Sequence, residues 1–500
     1  MKYLVTTPIY YVNDKPHIGH AYATFAADVL ARYKRMFGVP TYFLTGTDEN
    51  SQKNVEAAGA SGTSVLNYVD QMSALWQLTW DELGISNDDF IRTTESRHRV
   101  GVEKFWRTVS AKPDLIYKGT YEGLYCVGCE AFYRESDLVD GKCPTHDRVA
   151  ELVKEENYFF RASRFREALL EHIEKHPEFI CPEARRNEVV SYITNHLEDF
   201  SISRPNKQWG IPVPGDDSQT IYVWFDALLN YMTAVGYGTD EQRFKEWWPA
   251  ELHIVGKDII KFHCALWPAM LLAADLPLPR QVFAHGFFTI DGRKVSKSTG
   301  NAIDPKDLVE TYGVDAVRYF LLREIPFGGD GDFSIARLAA RYDSDLASGL
   351  GNLVQRVTTL AAQAATLPVG TSVAAAVTKQ ISLYHEAMST IALSRALEIT
   401  WETMRLCDQY LEEKAPWKLR TDPAKAEAFS EIMGEMVEAV RLISWMVLPF
   451  MPSTARAMLT MIGHESDMNR SAGEAMQWGA HTGHVQVRKP QTSLFPRFTA

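Results

Sequence analysis

The first forty-odd residues constrain the fold most. Apolar and β-branched side chains run from Tyr3 to Val12, and a turn follows through Asn13, Asp14, Lys15 and Pro16. An apolar-periodic stretch then extends from about Ala21 to Met36. Gly38 and Pro40 interrupt it, and Thr41 to Leu44 reads as a second strand. Strand, helix, strand at this spacing is a βαβ unit, which predicts a parallel sheet with ligands at its carboxyl edge.

The 500 residues, 46% of them apolar, are enough for roughly two to four domains. Between 115 and 215 the α/β rhythm breaks: a cysteine cluster, a charged helix-like stretch from Arg161 to Lys175 and the proline-rich exit at Ile211 to Gly215 read as one inserted domain. The α/β pattern resumes over 216–280. A loop region rich in Lys, Ser and Gly follows over 281–341, and the first half of the α/β domain is 1–114. From 342 to 500 the signal is mostly helical, as in Ile391 to Glu413 and Ala426 to Val447, and predicts a helical bundle. From about Met468 the chain turns polar, and no packed structure is predicted there. The fold class expected is therefore α/β, a Rossmann-like parallel sheet with an insertion and a C-terminal α-helical bundle.

The N-terminus lacks a basic leader and a long apolar run, and no stretch is long enough to span a bilayer. No membrane association and a cytoplasmic location are expected. A net charge of −11 argues against a general nucleic-acid coat, though not against one basic face.

Three segments carry chemistry. Pro16-His17-Ile18-Gly19-His20 lies where the first strand feeds a helix, where free N–H groups, a positive dipole end and a glycine that lets backbone approach closely favour phosphate. Taken alone, the pentapeptide equally suits a simple helix cap. The second segment, Gly292 to Asn301, sets Lys294 and Lys297 among Ser296, Ser298 and flexible glycines. Lysine is a point charge on a long stem that can follow a polyphosphate; a lone basic loop is more often a solvated turn. Two such loops in a chain without a Walker A pattern point to ATP held by another device. The third segment is Cys126-x2-Cys129, thirteen residues, then Cys143-x2-His146. Two close pairs of soft ligands predict one closed, structural zinc site, with no open position for catalysis.

The first two segments together resemble the HIGH and KMSKS signatures of class I aminoacyl-tRNA synthetases, with HIGH intact at His17 to His20 and Val295 where the family usually has Met. The resemblance implies catalytic roles for His17, His20, Lys294 and Lys297, and ATP binding by His17, Gly19, His20, Lys294, Ser296, Lys297 and Ser298. Both loops would stabilise the phosphates while an amino-acid carboxylate attacks the α-phosphorus, with Mg²⁺ accompanying ATP.

Within that class the zinc knuckle resembles the connective insertion of methionyl-tRNA synthetases. Further matches fall in order: Thr7 to Tyr11, Thr45 to Glu49, Trp224 to Ala227, and Gly256-Lys257-Asp258 ahead of Phe262-His263 and Trp267. They imply a methionine site of Ile9, Tyr11, Asp48, Trp224, Ala227, Leu228, Tyr231, Phe262, His263 and Trp267, with Asp48 pairing the α-ammonium. An aromatic slot suits a polarizable thioether; any one of these aromatics alone reads as core. Asn50 and Ser51 stand where relatives often show His-Gly, and Leu228 where some show Pro. The helical region resembles the family's anticodon-binding domain, which implies tRNA anticodon contacts by Asn352, Arg356, Pro416 and Trp417.

The expected activity is that of a methionine–tRNA ligase: ATP and L-methionine give methionyl-adenylate, and methionine passes to the 3′ end of tRNA(Met) for initiation and elongation. No further C-terminal domain follows, so a monomer is expected. Branched-chain relatives would need a large editing insertion and cysteine relatives an open zinc site. A noncatalytic nucleic-acid-binding relative would not need His17, His20, Lys294 and Lys297. A nucleotidyltransferase would explain neither the knuckle nor the helical region.

Overall fold

The computed structural model describes residues 2–126, 131–133, 135–144, 148–205, 209–290, 292–294, 303–480, 486–488 and 492–497; for Tyr121, Ala131, Phe132, Ser136, Arg293 and Lys294 it describes the backbone. The chain divides into two units, 1–27 with 41–285 and 28–40 with 286–500.

The first unit is built on six strands: β1 (Tyr3–Tyr11), β2 (Thr41–Asp48), β3 (Asp89–Arg92), β4 (Ile180–Cys181), β5 (Leu252–Gly256) and β6 (Val282–His285). Their order is β3-β2-β1-β5-β6-β4, and every pairing is parallel. β5 and β6 are buried along their whole length, as expected of strands covered on both faces. The order reverses beside β1, so the carboxyl ends of β1 and β5 form the switch point at which open α/β sheets bind ligands. Helix α1 (Ile18–Met36) leaves that point directly after β1.

Residues 115–215 read as one insertion in the sequence, yet part of this stretch belongs to the main sheet. Ile116–Cys126, Ala131–Tyr133, Glu151–Phe160 and Phe200–Ser201 form a separate antiparallel sheet, with Ile116 opposite Phe160 and Tyr125 opposite Glu151. Between them the chain returns: Ile180 and Cys181 of β4 pair in parallel with Val282 and Phe283 at the edge of the main sheet. A two-residue strand between helices Arg166–Lys175 and Glu183–His196 is too short for a period-2 signal to be read.

The second unit is mostly helical, with a small sheet of Arg293–Lys294, Phe288–Ile290 and Gly331–Phe333, the last strand following helices Pro305–Tyr312 and Val314–Glu324. Helix Ala426–Val447 is buried at every position from Ile432 to Val447, the pattern of a helix at the centre of a bundle. It carries a buried charge cluster in which Arg441 makes two bonds to Glu438, of 2.7 and 2.8 Å, and one of 3.0 Å to Asp467. The guanidinium also donates to the carbonyls of Ala475 and Gln477. Those bonds explain why the polar stretch after Met468 is packed in part, with Ala472 and Ala475 buried; Phe495 is buried beside Tyr342. Hydrogen bonding to a buried arginine has no hydropathy signature. Among the described residues no helix is long and apolar enough to cross a membrane.

Candidate active site

The turn between β1 and α1 folds its two histidines onto each other. The rings of His17 and His20 stack with centroids 3.6 Å apart and planes 22° apart. Backbone N–H groups fix both tautomers: Gly19 donates to His17 Nδ1 at 3.1 Å and His17 donates to His20 Nδ1 at 3.2 Å. A backbone N–H can only donate, so each Nδ1 is an acceptor and each Nε2 carries the proton. Burial lowers the His17 pKa to about 4, against a smaller upward pull from Asp14. His20 is held well below the usual histidine range by burial first, then by His17 and His285. At neutral pH both rings are therefore uncharged, each with an Nε2–H donor.

Gly19 is required by space. A Cβ there would lie 2.9 Å from His17 Cε1 and 3.1 Å from Nδ1. Behind His20 stand Tyr10 and Trp76, at centroid distances of 5.0 and 4.9 Å, stacked on each other. Trp76 is fully buried and its Nε1–H donates to the Asp14 carbonyl at 3.0 Å, which braces the turn. Trp76 is a support that the sequence did not single out; it lies far along the chain in a helix with no motif.

Several of the predicted methionine residues lie in contact with one another. Ile9, Trp224 and Phe262 pack against the cluster that holds Leu228, Tyr231 and Trp267. Trp224 and Phe262 are stacked at 3.8 Å and 4°. His263 Nδ1–H donates to the Ile259 carbonyl at 3.0 Å, so Nε2 accepts from the Tyr231 hydroxyl at 2.8 Å. Burial lowers His263 to about 4, which keeps this pair neutral. Tyr231 also lies 4.3 Å from the His253 ring, whose Nδ1 is 2.7 Å from Thr6 Oγ1. Asp48 ends β2 directly opposite Tyr11, buried, and its carbonyl accepts from Asn54 Nδ2 at 2.9 Å. Lys53 Nζ sits 4.3 Å over the Tyr11 ring. Ala227 is buried in the short helix Val223–Ala227 that also carries Trp224.

The two departures at 50 and 51 are now placed. Asn50 Nδ2 donates to the Asp226 carboxylate at 2.7 Å and to the Thr93 carbonyl at 3.3 Å. Ser51 is buried as the N-cap of helix Gln52–Ser61.

The signature loop lies largely outside the described residues: Ser296, Lys297 and Ser298 are not described, and Lys294 is placed by its backbone in the strand Arg293–Lys294, opposite Thr289. Cys129 and His146 are likewise outside. Cys126 and Cys143 are both buried, while Val139, Val149 and Leu152 nearby in the chain are more than 60% exposed. Two buried thiols in a stretch with little buried hydrocarbon fit ligands of a soft metal. Among the described residues there is no group of three or more metal-ligating side chains.

In the second unit Asn352 is exposed at the start of helix Asn352–Ala361. One turn on, Arg356 bonds Asp408 at 3.2 Å and Glu412 at 2.7 Å, and its guanidinium lies 5.7 Å over Trp417. Pro416 is buried in the turn Pro416–Lys418 and leaves Trp417 half-exposed.

A doubly wound parallel sheet with a HIGH turn at its switch point, together with a helical unit downstream, is the architecture of class I aminoacyl-tRNA synthetases. The family profile described as tRNA synthetases class I (M) matches residues 3–151 and 136–358, and that of the anticodon binding domain of methionyl tRNA ligase matches 361–495. A methionine–tRNA ligase of Caldanaerobacter subterraneus is 44% identical over 99% of this chain and 78% of its own, and one of Rickettsia conorii is 42% identical over 99% of each. A solved Mycobacterium tuberculosis methionyl-tRNA synthetase in complex with methionyl-adenylate superposes with a TM-score of 0.94, at 39% identity, covering 99% of this chain and 100% of that one. The chain belongs to the methionyl-tRNA synthetase family.

Proposed function

We propose that this chain activates L-methionine with ATP and transfers it to the 3′ end of tRNA(Met). One methionine carboxylate oxygen attacks the α-phosphorus, the bond from that phosphorus to the bridging oxygen of the β-phosphate breaks, and pyrophosphate leaves. A ribose hydroxyl of the terminal adenosine then attacks the carbonyl carbon and AMP departs. The observation that carries this reading is the pair of stacked neutral imidazoles, each with its Nε2–H free of the backbone bonds that fix Nδ1. Such donors suit a phosphate whose charge is spread over several oxygens in a pentavalent transition state. They need no proton transfer and imply no covalent enzyme intermediate.

His17, Gly19 and His20 bind ATP in this reading, and Lys294, Ser296, Lys297 and Ser298 supply the second phosphate contact. Mg²⁺ accompanying ATP would supply charge neutralisation for the leaving pyrophosphate. Asp48 takes the α-ammonium, and Ile9, Tyr11, Trp224, Ala227, Leu228, Tyr231, Phe262, His263 and Trp267 hold the thioether side chain. The uncharged Tyr231–His263 pair supports this, because it puts no full charge beside the sulfur. The relative solved with methionyl-adenylate supports the same substrates. Cys126, Cys129, Cys143 and His146 hold one structural Zn²⁺, and Asn352, Arg356, Pro416 and Trp417 read the anticodon. The cation-over-ring geometry of Arg356 and Trp417 supports a stacking platform for bases. The enzyme acts as a monomer in the cytoplasm, where its tRNA is used.

The test is amino-acid-dependent exchange of labelled pyrophosphate into ATP, with each of the twenty amino acids and no tRNA. Methionine alone is expected to stimulate it. Stimulation by another amino acid would overturn the pocket, and none at all would overturn the reaction.

A further inference from the structure

A buried hydrogen-bond chain runs across the elements that carry the methionine residues. Asn50, two residues beyond Asp48, donates to Asp226 Oδ2 at 2.7 Å. Asp226 lies between Trp224 and Ala227 on the helix Val223–Ala227. Its other oxygen, Oδ1, accepts from His98 Nε2 at 2.6 Å, and His98 Nδ1 meets Thr233 Oγ1 at 2.8 Å. Thr233 is on the segment Asn230–Thr233 that carries Tyr231, and it donates to the Asn230 carbonyl at 3.3 Å. Asp226, His98 and Thr233 are each 99% or more buried. His98 sits on helix Ser96–Ser110, which approaches so closely that a Cβ on Gly101 would lie 2.3 Å from Thr233 Cγ2.

Three substrate-facing elements are thus tied to two side chains that need not touch substrate: the loop after Asp48, the helix of Trp224 and Ala227, and the segment of Tyr231. The loop after Asp48 is held on its other side too. Arg92 clamps Glu49 with bonds of 2.7 and 3.0 Å, and Thr93 Oγ1 accepts from the Glu49 N–H at 2.8 Å. Asn54 Nδ2 also holds the Asp48 carbonyl at 2.9 Å and Asn50 donates to the Thr93 carbonyl at 3.3 Å, while the Asn50–Asp226 bond ties the loop to the helix of Trp224. We infer that Asp226 and His98 are positioning residues for methionine: through Asn50 they fix where the Asp48 carboxylate stands relative to the Trp224 wall. The inference rests on the functional reading above and adds to it the determinant of the ammonium-to-side-chain spacing. Asn at 50 serves this role as a donor, since the partner at 226 is a carboxylate that can only accept.

The experiment reverses the polarity of the Asn50–Asp226 bond, with loss of the longer 3.3 Å bond from Asn50 to the Thr93 carbonyl, and reads methionine-dependent pyrophosphate exchange on the full chain. In N50D two carboxylates face each other, and KM for methionine is expected to rise at least tenfold while KM for ATP stays within twofold. In N50D/D226N the amide introduced at 226 donates to the carboxylate introduced at 50 and its oxygen still accepts from His98, so KM for methionine is expected to return to within threefold of wild type. N50A, which removes the bond without adding charge, is expected to raise KM for methionine about fivefold and keeps the test informative where the double variant folds poorly. A double variant no better than N50D, or N50A within twofold of wild type, overturns the assignment while wild-type exchange still stands. A wild-type chain that exchanges with no amino acid refutes the functional reading and this inference with it.

Discussion

Replacing Gly19 with alanine separates catalysis from stability. The added Cβ would sit 2.9 Å from His17 Cε1 and 3.1 Å from Nδ1, against a comfortable separation of about 3.5–4.0 Å. The ring therefore has to move by roughly 0.5–1 Å. That shift breaks the 3.1 Å bond from the Gly19 N–H and disturbs the 3.6 Å stack on His20. The lost bond costs about 1 kcal/mol, and alanine in a helix returns up to about 1 kcal/mol relative to glycine, so the melting temperature should move by only a few degrees. Catalysis has no such offset. Misplacing a donor by about 1 Å costs up to roughly 100-fold in rate, or about 2.7 kcal/mol of transition-state stabilisation. Pyrophosphate exchange should show kcat down about 30- to 100-fold and KM for methionine within about twofold, with an unaltered circular-dichroism spectrum. A kcat within about threefold of wild type would refute the argument that the His17 ring position governs the phosphate contact.

The histidines also set a pH dependence of stability. His17 and His263 have folded pKa values of about 4 against an ordinary 6.5, so between those values the unfolded chain binds more protons. Stability is unaffected by these groups above about 6.5 and falls as pH drops from there toward 4, by up to about 3 kcal/mol for His263. Urea midpoints at pH 7, 6 and 5 should fall less steeply in His263→Gln, which cannot charge; parallel slopes would refute this. Trp417→Ala should leave methionine-dependent exchange within about twofold and raise KM for tRNA about tenfold, as loss of one stacking platform would. An unchanged tRNA response in aminoacylation assays would remove Trp417 from the interface. Metal analysis should find one zinc per chain, and stripping it should unfold the antiparallel sheet around Ile116–Cys126. Active, folded protein containing no metal would end the structural-zinc reading.

The βαβ start, the HIGH turn and the grouping of Trp224 with Phe262 and of Tyr231 with Trp267 were legible because each is local or falls in a recognisable order. The neutral state of His17 and His20 was not, since it depends on Trp76, Tyr10 and His285 closing over the rings. Asn50 and Ser51 read as departures of unknown effect; the structure pairs Asn50 with Asp226, 176 residues away, and such a pairing leaves no periodic trace. β4 was hidden for the same reason: its identity as a strand comes from β6, a partner about a hundred residues downstream. The packing of Ala472 and Ala475 follows from the charge cluster around Arg441, which hydropathy cannot anticipate.

The sheet order bears on how the chain is made. β1 pairs with β2 soon after both emerge from the ribosome, but its other edge waits for β5, and Thr6 and His253 are joined across 247 residues. At about 5–20 residues per second that wait is on the order of tens of seconds. Throughout it, one edge of an apolar strand that leads into the His17–His20 turn has no partner. Chaperone dependence during translation should therefore peak before residue 256 and decline once β5 is out, whatever the stability of the finished enzyme.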